Sequence, residues 1–268
     1  LNGSQNPFSG TDTYKSIADL PLNQRVKEMK KQDIKNKILS EDPITGSTFP
    51  LINRIGYSQM YRFGSPPNYN PKPEHSIESL AKVSDVSSAE LAYDILLENE
   101  GNNFIYAPLV NYADHTFGVC QKMLEDKNAI MGLGDGGAHV GFILDAGYPT
   151  WLISYWSVKK KVFSMEETIR RLTSDTALAA GLQDRGYLKV GLKADINIID
   201  WENVGSSDPF MTQDLPAGGK RLMQHTQGYV ATIVSGKITY QNGKSTTERP
   251  GSLVKSVKDI KQTHEFAN

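Results

Sequence analysis

Apolar and polar positions follow three patterns along this chain, and each predicts a different kind of element. Residues 1–46 are polar at helical spacing, with Asn6-Pro7 as a turn and one helix expected over 22–39. Within it, the basic stretch 27–37 is interleaved with Glu28 and Asp33, which marks a solvated helix face. Residues 47–80 carry few regular signals. Pro50, Pro66, Pro67, Pro71 and Pro73, with Gly56 and Gly64, make this a long irregular segment. Tyr57, Tyr61, Phe63 and Tyr69 run through it, and their presence favours a packed lid.

From residue 84 the pattern becomes regular. Leu91, Ile95 and Leu96 recur at helical spacing behind Ser87 or Ser88 as a cap, predicting a helix over 84–98. Residues 103–110 are a short apolar run suited to a buried strand, and 115–126 resume helical spacing through Phe117, Cys120, Met123 and Leu124. A second short apolar run, 129–133, ends in Gly134-Asp135-Gly136-Gly137. An aromatic-rich stretch, 148–158, precedes a helix over 164–182, opened by Ser164 and Glu167 as a capping box. Helix–strand–helix–strand–helix order with buried-type strands predicts a parallel α/β sheet. After Gly191 the period falls to two. Residues 194–201 and 228–240 alternate, with Ser235-Gly236 as a turn, and predict antiparallel strands of a small second domain. The expected division is 1–190, 191–254 and a polar tail, 255–268.

Composition narrows the function classes. The chain has 268 residues, 38% hydrophobic and 22% charged, with a net charge of −1. That suits a globular protein and supplies no basic field for nucleic acid or an anionic membrane. Cys120 is the single cysteine, so no intramolecular disulfide forms, which fits the cytoplasm. No apolar run reaches the roughly 20 residues of a membrane span. The first residue is Leu1 rather than methionine.

The chemistry concentrates in Ile130-Met131-Gly132-Leu133-Gly134-Asp135-Gly136-Gly137-Ala138-His139. A carboxylate at the C-terminal end of a parallel strand sits where α/β barrels build their sites, and flanking glycines allow close approach of backbone and substrate. His139 is near enough in sequence to share such a site. A glycine turn capped by Asp135 is the alternative local reading. Phosphate binding is disfavoured, because no Gly-Lys-Ser/Thr follows and no ribose-binding acid is placed about 20 residues on.

Those residues resemble the eighth-strand motif of the amidohydrolase superfamily, in the branch of the N-acyl-D-amino-acid deacylases. Other stretches resemble the same branch in the same order. They include Tyr61-Arg62-Phe63-Gly64-Ser65-Pro66-Pro67-Asn68-Tyr69, Leu91-Ala92-Tyr93-Asp94, Ala146-Gly147-Tyr148-Pro149-Thr150 and Leu172-Thr173-Ser174-Asp175-Thr176-Ala177. Gly191-Leu192-Lys193-Ala194-Asp195-Ile196-Asn197 is of a type common to amidohydrolases, and Asp214-Leu215-Pro216-Ala217-Gly218-Gly219-Lys220-Arg221-Leu222 is closer to the deacylase branch. The resemblance implies an α/β fold: the C-terminal part of a metal-dependent-hydrolase (β/α)8 TIM barrel plus a small β-sandwich domain. It implies zinc or a similar divalent metal in the complete enzyme, an N-acyl amino acid as the small-molecule substrate, and Asp135 as general base and then acid. No His-Xaa-His pair is present, and the five histidines, His75, His115, His139, His225 and His264, stand singly. The metal ligands are therefore expected in a missing N-terminal half, which, or a self-association, would also cover open barrel edges.

Further candidates follow by position. Asn111 and Asp114 come just after a presumed strand and face either the cleft or a turn. Tyr155 and Trp156 line a pocket or pack in the core. Arg62 is a candidate to grip a substrate carboxylate. His115 is expected to open a helix as a cap or solvent-facing group, and Cys120 to be a buried thiol. Competing functions are hydrolysis of a cyclic amide and a non-catalytic fragment or binding module, the 268 residues alone being expected to be inactive.

Overall fold

A single helix over 22–39 would set Met29 and Ile38 about 180° apart around its axis, because nine residues advance about two and a half turns. Both side chains are fully buried, so the chain has to break between them. The computed structural model, which describes residues 1, 3, 5–44, 55–132 and 139–254, shows that break. Helix α2, Leu22–Met29, ends at Lys30, and Lys31 takes an extended conformation before α3, Gln32–Ser40. Both helices then turn their apolar residues inward, where each large buried side chain contributes roughly 1.5–3 kcal/mol. The glycine-rich motif with Asp135, residues 45–54 of the proline-rich segment and the tail 255–268 lie outside the described residues.

The chain divides into two compact units. One comprises Leu1–Met123, His139–Phe142 and Phe210–Leu222. It gathers α1 (Asp12–Ile17, capped by the Thr11 hydroxyl), α2, α3, α4 (Ile77–Val83) and α5 (Ser88–Gly101) around one core. Phe8, Tyr14, Val26, Met29, Ile38, Ile77, Tyr93 and Ile95 are buried there. Ser87 caps α5 as expected, its hydroxyl accepting from Glu90 N. Tyr93 ties three elements together. Its hydroxyl donates to Met29 O at 2.8 Å, satisfying a carbonyl at the end of α2, and its ring meets Phe8 edge-on at 5.4 Å. Lys35 on α3 reaches Glu90 and Asp94 on α5 at 3.0 and 2.9 Å. The helix α4, capped by Ser76, begins inside the stretch expected to be irregular and runs past its end; its apolar positions Ile77, Leu80 and Ala81 cover barely one turn.

Two strand expectations are corrected. Of the apolar run 103–110, only Ile105–Tyr106 (β2) forms a strand, and Val110 is exposed. Pro108 cannot donate to a ladder, which confines pairing to the residues before it. β2 pairs antiparallel with β1, Tyr61–Arg62, in the register Tyr61↔Tyr106 and Arg62↔Ile105. The run 129–133 shows no strand over its described residues 129–132, and Ile130 is half exposed. Among the described residues, every strand pair with an assigned direction is antiparallel, so the expected parallel sheet is not formed by them.

The other unit contains the remaining described residues. Helix α7, Tyr148–Trp151, runs into a π-helix over Leu152–Lys159 that buries Leu152, Ile153, Tyr155 and Trp156. The expected helix over 164–182 is two, α8 (Met165–Leu172) and α9 (Ser174–Ala179), separated at Thr173 with φ −124° and ψ −84°. Ser164 caps α8, but Glu167 turns to Arg171 rather than completing the box. Arg171 in turn donates to Leu124 O at 2.6 Å and lies over the Phe163 ring.

The alternating segments form the expected antiparallel sheet, in the order β10-β9-β8-β3. Its strands are β3 (Ile196–Ile199), β8 (Tyr229–Val234), β9 (Lys237–Gln241) and β10 (Lys244–Ser245). Ser235-Gly236 and Asn242-Gly243 all have positive φ, the requirement of tight hairpin turns that match strand twist. Asp195 anchors the first turn: its carboxylate accepts from Ser235 N at 2.9 Å, and Gly236 N donates to Ala194 O. Arg185 and Lys193 flank the same carboxylate at 3.2 and 3.4 Å. Among the described residues no helix is long and apolar enough to cross a membrane.

Gly228 stands at φ +83°, and a Cβ there would lie 2.6 Å from Val204 Cα. Gly228→Ala is expected to destabilise this unit by about 2–4 kcal/mol. Gly243 has a similar φ of +76° with nothing within 4 Å of a Cβ. Gly243→Ala should therefore cost only about 1–2 kcal/mol. Urea denaturation of both variants checks this; equal losses would remove the close approach to Val204 as the cause.

Candidate functional site

Asp135 lies outside the described residues, so the candidates that can be placed are the residues expected to accompany it. Arg62, Asn111 and His139 belong to the first unit and Tyr155 to the second. Arg62, on β1, donates to Glu98 at 2.7 Å, and Asn103 donates to the same carboxylate oxygen at 2.6 Å. Asn111 is exposed with φ 61°, and its carbonyl faces the Cys120 thiol at 3.6 Å. His139 is exposed with φ 47°; its ring lies 5.4 Å from that of Phe142, and the adjoining Val140 carbonyl accepts from Leu222 N at 2.7 Å. Tyr155 is buried, stacked on Trp151 at 4.3 Å, with Lys159 and Lys160 near its ring.

Asp114 takes the turn role. Its carboxylate accepts from Thr116 N and Thr116 Oγ1, and these bonds hold the carboxyl below the usual range. The Thr116 hydroxyl accepts from Gly118 N, where α6 (Gly118–Glu125) begins. That arrangement corrects the expectation for His115. The cap belongs to Thr116, and His115, at φ 57°, precedes the helix and turns back onto β1.

There the imidazole meets two side chains. Tyr61 Oη is 2.5 Å from His115 Nδ1, and Gln59 Nε2 is 3.3 Å from His115 Nε2. The register Tyr61↔Tyr106 makes this meeting possible, because it lays the chain following β2 beside the chain preceding β1. Tyr61 is buried while Gln59 and His115 are half-buried, and burial raises the Tyr61 phenol above its ordinary range. Burial likewise raises Tyr106, whose hydroxyl donates to Tyr69 O. Phe63, Tyr69, Phe104 and Tyr106 pack on one another with edge-to-face and tilted contacts, and Tyr106 joins them to the Tyr61 ring at 6.4 Å. Of the four expected lid aromatics, Phe63 and Tyr69 pack on Tyr106 of β2, Tyr61 lies on β1, and Tyr57 packs against the helical core. Sequence reasoning did not single out the Tyr61–His115 pair. The two are 54 positions apart, and no spacing rule joins them.

The described residues do not fit a divalent metal: no group of three His, Cys, Asp or Glu side chains among them comes together as a ligand set. His75, in the turn Pro73–His75, and His225 are exposed. Cys120 is half-buried, and burial raises its thiol.

The segment expected to be closest to the deacylase branch forms a hairpin. β5 (Phe210–Leu215) and β6 (Gly219–Met223) pair across the turn Pro216–Gly218, where Ala217 and Gly218 have φ of 57° and 75°. Arg221 grips Asp214 with two bonds of 2.7 Å across the turn. The amidohydrolase-type segment at 191–197 ends in β3, with Asp195 at its anchor point.

Residues 74–240 match the model of the amidohydrolase family, and the chain belongs to that family. A dihydroorotase of Lactobacillus acidophilus is 35% identical over 89 residues, covering 32% of this chain and 20% of that protein. A dihydroorotase of Bacillus cereus is 42% identical over 89 residues, 31% of this chain and 20% of that protein. An N-acyl-D-aspartate deacylase of Alcaligenes xylosoxydans xylosoxydans is 28% identical over 96 residues, 36% of this chain and 18% of that protein. The matched stretch thus spans about a fifth of the length of these relatives. A crystal structure of D-aminoacylase superposes with a TM-score of 0.39 at 20% identity, over 70% of this chain and 36% of that one.

The Arg221 bonds hold the Asp214 carboxyl below its ordinary range. The pair's contribution to the hairpin is therefore present above the ordinary aspartate range and is lost as pH falls through the lowered value. Arg221→Ala is expected to bring the Asp214 midpoint back up towards that of a free aspartate, read by carboxyl ¹³C NMR titration. An unmoved midpoint would show that Arg221 is not the cause.

Proposed function

We propose that this chain is part of an enzyme hydrolysing the linear amide of N-acyl (D-)amino acids, with Asp135 as its proton carrier. The family match over residues 74–240, which spans Asp135, is the observation that carries the reading. On this reading residues 1–190 contribute to a (β/α)8 barrel and 191–254 to a small β-sandwich. The antiparallel sheet of β3 and β8–β10 supports the second part.

Amide hydrolysis sets a proton problem that one carboxylate solves. Water must lose a proton as its oxygen attacks the carbonyl carbon, and the amide nitrogen must gain one before the C–N bond breaks. A single carboxylate takes the first proton and delivers it in the second step, a service worth about 10²–10⁴ in rate. Glycines flank Asp135 in the sequence, a residue type that permits close approach of backbone and substrate. No step is assigned to a metal, whose ligands on this reading lie outside the described residues.

Hydrolysis of a cyclic amide is the second reading, favoured by the likeness to dihydroorotases. The Asp214–Arg221 hairpin segment and the likeness to an N-acyl-D-aspartate deacylase support the first.

Asp135→Asn in the complete enzyme is expected to lower amide hydrolysis by about 10²–10⁴ while leaving the fold intact. Assays with N-acetyl-D-amino acids beside a cyclic amide separate the two readings. Near-normal turnover in the variant would take the proton-carrying role away from Asp135.

A further inference from the structure

The tip of the β9–β10 hairpin brings together the parts of a reaction that needs no ligand. Asn242 and Gly243 form the two-residue turn between Gln241 and Lys244, which pair across it. Of the Asn-Gly pairs at 2–3 and 242–243, only the second has both residues described. Asn242 N donates to Val230 O at 2.9 Å, which fixes the entry to the turn. Beyond that bond the tip is uncommitted. Among the described residues no hydrogen bond engages the Asn242 carboxamide or the Gly243 amide nitrogen, and both residues are exposed. Neighbouring asparagines differ. Asn203 donates to Asp200 at 2.9 Å and Asn197 accepts from Thr232 at 2.9 Å, and Val204 and Ile198 follow them. A side chain on the following residue crowds its amide nitrogen. Gly243 has none, and even a Cβ there would meet nothing within 4 Å.

The chemistry is an intramolecular acyl transfer. The Gly243 nitrogen gives its proton to solvent and attacks the side-chain carbonyl carbon of Asn242. That C–N bond forms, the bond to Nδ2 breaks, and ammonia leaves. Water then opens the resulting five-membered imide at either carbonyl. Attack at the side-chain carbonyl leaves aspartate, and attack at the main-chain carbonyl leaves isoaspartate. Both reacting groups belong to adjacent residues, so no encounter has to be paid for in entropy. The closed turn restrains the step. Asn242 is held at φ 48°, in the left-handed region, and ring closure needs rotation about its Cα–C bond out of that conformation. What opposes the rotation is slight: β10 is only Lys244–Ser245, at the edge of its sheet, and short edge pairings open readily.

We infer that Asn242 is a site of spontaneous deamidation, reached when β10 opens from β9. Isoaspartate carries one more main-chain carbon than asparagine, so a two-residue turn no longer joins Gln241 to Lys244 in register. The product therefore holds β10 open. Ser245 parts from Tyr240, and Thr246 N is released from Thr239 O. A transient opening becomes a lasting one.

Ageing the full chain in mildly alkaline buffer, followed by peptide mass mapping, is the first test. The peptide carrying Asn242 should show amide-to-acid conversion several-fold faster than those carrying Asn197 or Asn203. Equal or slower conversion would overturn the inference. Enzymatic methylation of isoaspartyl carboxyls should label the Asn242 peptide, and absence of label there would remove the isoaspartate product. Asn242→Gly keeps a residue suited to positive φ, so the hairpin should fold while conversion and label at this peptide disappear. Label persisting at this peptide in the variant would place the reaction on another residue. Conversion in the urea-unfolded chain should run several-fold faster than in the folded one, and equal rates would remove the restraint by the turn. Hydrogen exchange at the Thr246 amide should be faster in the aged chain than in the fresh one; unchanged protection would overturn the coupling to β10.

Discussion

A two-residue ladder decides which parts of the first unit meet. Tyr61–Arg62 and Ile105–Tyr106 pair in a register that puts the turn after β2 next to the turn before β1. Four backbone positions could not hold alone, since an isolated two-stranded pair is marginal in water. The surrounding aromatic rings, the added bond from Phe63 N to Phe104 O, and the α4–α5 layer beneath supply the rest. With that register, His115 faces Tyr61. A slip of one residue would turn both side chains to opposite faces and dissolve the contact.

The same pairing explains where sequence reading succeeded and failed. Periodicity was readable wherever one face of an element meets a core over several turns or rungs, as in Ser88–Gly101 behind Ser87 and in β3, β8 and β9. The turn at Ser235-Gly236 was equally readable, because its residue types suit positive φ. Helix lengths were overread at 22–39 and 164–182, where the breaks at Lys31 and Thr173 are demanded by packing rather than by a proline or glycine. The short apolar runs 103–110 and 129–133 were overread as strands, since an apolar run records burial but says nothing of a pairing partner. As for the candidate site, Asp114 was legible as a turn residue, while Asp135 lies outside the described residues. The Tyr61–His115 contact was illegible because only tertiary pairing creates it.

Family-typical segments in this chain have structural tasks that the geometry makes explicit. Asp195 receives a turn amide and two cationic side chains at once, so a single carboxylate joins the 184–195 stretch to the β8–β9 hairpin. Asp214 and Arg221 close the β5–β6 hairpin in the same manner. Charge pairs of this kind, still partly open to solvent, contribute modest stability singly. Their value lies in geometry: each fixes the exit direction of a turn whose backbone is already held at positive φ.

The π-helix Leu152–Lys159 makes the second unit sensitive to length where a loop would be tolerant. Its wider winding, with bonds from each amide to a carbonyl five residues back, accommodates about one residue more per turn than an α-helix. Leu152, Ile153, Tyr155 and Trp156 all reach the interior from this widened turn. Removing one residue while the wide winding is kept would rotate everything downstream by about 80°. The burial of Trp156 against Tyr155 and the run of lysines that follows are therefore tied to one unit of chain length, and an insertion or deletion here acts as a change of frame for the whole aromatic layer.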